Sequence, residues 1–173
     1  MRTLILVSAA LSLLLVAVGP DVDAGSTPSD SPASVQAAGG VVVSYPRSWR
    51  AAVMHDGTVI GIAAPATGGR RPAITILLAH GSGEMRDLMD SMARGIGRGA
   101  QVRLLGERHL ATSRWARYYV RGNGPTEEYV MAGIAQGGGW IATIVAIDAT
   151  SDPELRARAL VFQQVLAGVV MPK

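Results

Sequence analysis

The sequence predicts an α+β domain, an antiparallel sheet covered by helices. Three observations predict it: β-branched runs joined by short glycine-containing turns, two stretches with helical apolar spacing, and no alternation of single strands with single helices. Of the 173 residues, 49% are hydrophobic, 17% charged and 5% aromatic, which is too apolar for a disordered tail.

The N-terminus is read apart from the domain. Residues 1–24 hold 16 apolar residues, with Arg2 ahead of the run Leu4–Val18 and Gly19-Pro20 after it. A positive charge, a short apolar stretch and a small-residue exit form a secretory signal, with cleavage expected between Ala24 and Gly25. The run is shorter than the roughly 20 residues that cross a bilayer core, so no membrane span is expected after cleavage. With no cysteine there is neither a lipoprotein anchor nor a disulfide partner. A secreted or periplasmic, bacterial location follows as the expectation. Residues 25–40 are 13 parts in 16 Gly, Ser, Thr, Pro or Ala, and are expected to be a disordered linker before a single domain over 41–173. After cleavage 15 Lys+Arg face 11 Asp+Glu, and all the cations but Lys173 are arginine.

Within the domain, Val41–Tyr45 reads as a strand stopped by Pro46. Ala51–Met54 and Thr58–Ala64 flank His55-Asp56-Gly57, a hairpin signal, and Ala73–His80 reads as a buried strand. Met85, Leu88, Met89, Met92 and Ile96 fall on one helical stripe, with Ser82 as the expected cap and Gly97 or Gly99 as the stop. Val102–Leu110, Ser113–Arg121, Glu127–Gln136 and Trp140–Asp148 follow as a four-strand meander. Ser151 and Glu154 offer a capping box for a closing helix whose stripe runs through Leu155, Ala159, Phe162, Leu166 and Val169.

The opening Tyr45-Pro46-x-x-Trp49, the central helix, the strand near Gly106 leading to Tyr118-Tyr119, and the closing helix resemble the PsbP-like family of α/β/α sandwiches, with its DcrB-like envelope proteins. The resemblance covers 41–173 and implies the sandwich fold and a mostly non-catalytic binding or accessory character. It carries over no site residues.

No cofactor and no metal site is expected. His55, His80 and His109 are scattered and lack ligand spacing. Ala79-His80-Gly81-Ser82-Gly83 has alanine where a nucleophile elbow needs glycine. Gly95-Ile96-Gly97-Arg98-Gly99 follows a helix where a phosphate cradle would precede one. The expected ligand-binding residues are Arg114, Trp115, Arg117, Tyr119 and Arg121. Strand alternation places the last four on one face, where aromatic rings and cations could take an anionic ligand or an acidic partner. The leading expectation is an exported non-catalytic binding or accessory protein of the bacterial cell envelope, its partner an envelope protein or an anionic ligand, with nucleic acid disfavoured. The alternatives are a small basic secreted hydrolase or nuclease built on the histidines, and an anion-binding surface module.

Overall fold

The structure is a computed structural model and describes residues 31–66, 72–122 and 127–173. The signal segment, the cleavage position Ala24/Gly25 and the first part of the linker therefore lie outside the described residues.

The elements in chain order are β1 (Ala33–Gln36), a 3-10 turn (Ala38–Gly40), β2 (Val42–Tyr45), β3 (Arg50–Met54), β4 (Val59–Ala63), β5 (Ala73–His80), α1 (Met85–Ile96), β6 (Val102–Ala111), β7 (Arg114–Arg121), β8 (Glu128–Gly137), β9 (Trp140–Ala149), α2 (Leu155–Ala167) and β10 (Val169–Val170). Seven strands form one antiparallel sheet in the order β3-β4-β5-β9-β8-β7-β6, and β1-β2-β10 form a second, small one. The large sheet is a sandwich filling. Helix α1 covers one face through Met85, Met89 and Ile96, which pack on Ile134, Tyr119 and Val130. Helix α2 and the small sheet cover the other through Phe162, Leu166, Val43 and Val169, which join Ile60, Ile76, Met131 and Ile144.

This double cover explains the run Val130-Met131-Ala132-Gly133-Ile134-Ala135 on β8. Val130, Ala132 and Ile134 face α1 while Met131 and Ala135 face α2, so a central strand buried on both sides carries no polar alternation. Gly133 is required there, because a Cβ would stand 2.9 Å from the Leu166 side chain. The β3–β4 hairpin turns where expected, with His55, Asp56 and Gly57 at φ of 51°, 54° and 84°.

Three details differ from expectation. The linker predicted to run to residue 40 is already structured by Ala33: β1 pairs with β2 from Ala33↔Tyr45 to Gln36↔Val42, because β2 offers an open edge and Val35 packs onto the main core. Helix α1 begins after Glu84, and the Ser82 side chain does not cap it. Helix α2 is opened not by a Ser151–Glu154 box but by Asp152, whose carboxylate accepts the Glu154 N–H at 2.8 Å. Gly168 ends that helix, and Val169 continues inward as β10 beside Val43 rather than as helix.

Two irregularities interrupt β6, the outermost strand: the pairing with β7 slips between Leu104 and Gly106 and again between His109 and Ala111. Leu105 is the extra residue of the first bulge. Among the described residues no helix is long and apolar enough to cross a membrane.

Candidate functional site

Alternation along β7 is as predicted, but both of its faces are covered. Ala116, Tyr118 and Val120 lie toward α2, and Arg114, on that same face, donates to the Val169 carbonyl at 2.6 Å. Trp115, Arg117, Tyr119 and Arg121 lie on the other face, where α1 crosses. Tyr119 is 3% exposed and packs with Ile96 and Val130, and burial pushes its hydroxyl pKa up. Trp115 packs beside Met85 and Met89 and stacks on His109 with ring centroids 3.8 Å apart.

The two arginines of this face, Arg117 and Arg121, are held by carboxylates of the same chain. Arg121 donates to Glu128 at 2.7 Å from Nε. The Arg117 side chain is 12% exposed; it donates to Asp90 of α1 at 2.5 Å and, through Nε, to Glu107 of β6, which also engages His109 Nε2 at 2.7 Å. Burial works against the Arg117 charge, yet the hydrogen bonds to Asp90 and Glu107 outweigh it and hold its pKa above the ordinary arginine value. Asp90–Arg117–Glu107–His109 is thus a clamp that ties α1 to β6 and β7. Of the five residues singled out in the sequence, Trp115 and Tyr119 pack under α1, Arg117 and Arg121 are ion-paired within the chain, and Arg114 holds a backbone carbonyl on the opposite face. The helix that covers Trp115 and Tyr119 is what the strand pattern could not display.

The clamp has a pH signature. Hydrogen bonding to Arg117, chiefly, holds the carboxyls of Asp90 and Glu107 below their ordinary values of 3.8 and 4.5, with His109 adding to the effect on Glu107. A carboxylate whose pKa is lowered on folding stabilises the protein above its unfolded pKa and loses that contribution as pH falls through the folded value. Stability measured by urea unfolding is therefore expected to decline as pH drops from about 5 toward 2, and Glu107→Gln is expected to make the decline shallower. An unchanged slope in the variant would remove the clamp from the account.

The histidines do not share a site. His80 pairs with Trp140 on the α2 side of the sheet, and His109 pairs with Trp115 on the α1 side, with β9, β8 and β7 between their strands. His55 sits in the β3–β4 turn. Among the described residues no group of three or more His, Asp or Glu could hold a metal ion.

What the sequence reading did not assemble is a loop-rich end of the sandwich. A cleft of about 450 Å³ opens there between Gly81–Glu84, which lead into α1, and Gln136–Gly139 of the β8–β9 turn. Its walls are joined by the Gly81 N–H donating to the Gly139 carbonyl at 2.8 Å and the Gly83 N–H to Gln136 Oε1 at 3.4 Å. Beside it Trp140 is enclosed by His80 on one side, with ring centroids 3.7 Å apart, and by the backbone of Gly39. Six glycines with positive φ (39, 40, 57, 81, 138 and 139) gather at this end. The glycine clusters of the sequence signalled turns, but only the topology brings them together. A second cleft, about 340 Å³, lies between Trp49, Pro65 and Pro72 and the Ala157–Val161 stretch of α2. Arg158 on its wall is held by Asp148 at 2.5 Å and Asp152 at 2.9 Å.

No family model matches the chain, and neither does any curated protein. Solved structures do share its architecture, which is that of the PsbP-like α/β/α sandwiches. Cyanobacterial PsbP (CyanoP) from Synechocystis superposes with a TM-score of 0.59 over 89% of this chain and 100% of its own, at 15% identity. LpqN, involved in cell envelope biogenesis of Mycobacterium tuberculosis, gives 0.56 over 82% of this chain and 91% of its own, at 13% identity. A Pseudomonas aeruginosa protein of unknown function gives 0.52 over 83% and 98%, at 10% identity. The likeness is one of fold.

Proposed function

We propose that the protein is an exported, non-catalytic binding or accessory protein of the bacterial cell envelope. The observation that carries this reading is that a PsbP-like sandwich, matched over 82% of this chain by the envelope-biogenesis protein LpqN, follows an N-terminal segment with the three parts of a secretory signal. The separation of His80 and His109 across the sheet, and the cleft at the start of α1 lined by backbone, Ser82, Glu84 and Gln136 without a histidine, count against the hydrolase or nuclease alternative.

Two measurements test it. In a bacterial host the exported protein is expected to begin at Gly25 by intact mass, and a product that keeps residues 1–24 in the cytoplasm would refute export. The purified mature chain is expected to give no turnover of ester, peptide or nucleic-acid substrates above blank. A turnover lost in Ser82→Ala or His80→Ala would establish an enzyme instead.

A further inference from the structure

Among the described residues few large apolar side chains are exposed, and two of them are consecutive. Leu104 and Leu105 are 52% and 45% exposed, at the first bulge of the edge strand β6. β6 is the outermost strand of the sheet and is exposed on both faces over 103–105 and again over 107–109, so both leucines stand in water, with Leu105 as the inserted residue of the bulge.

Their setting is positively charged. Arg103 precedes them and Arg108 follows on the same strand, both exposed, and Arg98 lies exposed in the segment leading into β6. None of the three is ion-paired with a carboxylate among the described residues; Arg108 donates to the neutral Gln163 at 2.6 Å. The one acid within this stretch of β6, Glu107, is already engaged by Arg117 and His109. The clamp thus neutralises the local carboxylate and leaves the edge cationic.

We infer that this bulged edge, Leu104-Leu105 with Arg98, Arg103 and Arg108, docks on a membrane surface of anionic lipid headgroups. Arginine on phosphate and leucine at the acyl boundary is the pairing that holds peripheral proteins at an interface. Addition of a partner strand is opposed by the two bulges that break the edge, and by its charged residues. Two leucines are also too little for the apolar centre of a protein interface, which needs roughly 800 Å² from each partner. A lipid surface needs no matching shape. The inference rests on the envelope location proposed above for its biological setting.

The test uses the chain from Gly25 onward, which contains every described element and lacks the apolar leader that would itself enter lipid. It is expected to co-sediment with phosphatidylglycerol vesicles, to bind phosphatidylcholine vesicles at least about tenfold more weakly, and to be released by high salt. Leu104→Ser with Leu105→Ser should weaken binding by about tenfold or more, Arg103→Glu by about fivefold or more, and Leu160→Ser on α2 should leave it unchanged. Because the chain has no cysteine, Leu105→Cys can carry a single environment-sensitive fluorophore. Its emission should shift to the blue on anionic vesicles, while the same label at Leu160→Cys should not respond. Equal binding to both lipids, indifference to the leucine substitutions, a silent label at 105, or binding only to an acidic protein would each overturn the inference. A protein that is exported but ignores vesicles refutes this surface alone. One that binds vesicles but is never exported refutes the envelope reading alone.

Discussion

Phe162→Ala is expected to destabilise the fold by about 3–5 kcal/mol, a large share of what a domain of this size holds in reserve. Phe162 is 0% exposed and is the largest fully buried side chain of the principal core. It meets Tyr118 edge-on with ring centroids 6.4 Å apart, and it reaches toward Gly133, where a Cβ would come within 3.2 Å of its Cζ. Alanine there leaves a void between α2 and the sheet that backbone on both sides prevents from closing. Leu160→Ala, two residues earlier but 55% exposed, is expected to cost within about 0.5 kcal/mol. Urea unfolding of the two variants checks the pair, and similar midpoints would mean that α2 does not seal this core.

The second large effect is expected at Gly39. Its φ is +65°, and a Cβ there would overlap the Trp140 indole. Gly39→Ala therefore combines left-handed strain with a side chain that must leave its place against His80, for about 2–4 kcal/mol together. Gly40 is the internal control: its φ is +78° with nothing within 4 Å of a Cβ, so Gly40→Ala should cost about 1–2 kcal/mol, the strain alone. The difference between the two isolates the Trp140 contact. Tryptophan fluorescence should change in Gly39→Ala and not in Gly40→Ala, and equal losses without a spectral change would contradict the packing described.

Most of the architecture was legible in the residues. The four-strand meander, the β3–β4 hairpin and α1 declare themselves through turn chemistry and spacing, because each is specified by neighbours in sequence. The errors share a cause, which is that the deciding contact is distant. Ala33–Gln36 has a linker's composition and becomes a strand only because β2 offers it an edge. Val169 continues a helical stripe in sequence, yet Gly168 and the pull of Val43 make it a strand. The same holds for the candidate site. Arg117 and Tyr119 look like a binding face until α1 and Asp90 are laid over them. The bulge at Leu105 was not legible either, because β6 already departs from alternation at Glu107-Arg108-His109, where its pairing with β7 is regular.

The small sheet has a consequence for the order of events in folding. Its central strand β2 is flanked by β1 from the start of the domain and by β10 from its far end, and α2, which supplies Phe162, Val165 and Leu166 to the principal core, directly precedes β10. Contacts that join the two ends of a chain form late and carry a high closure cost. A growing polypeptide that has reached β9 holds a seven-stranded sheet with one face bare, and it cannot bury that face until α2 and β10 follow. The principal core therefore closes only when the last two elements of the chain arrive.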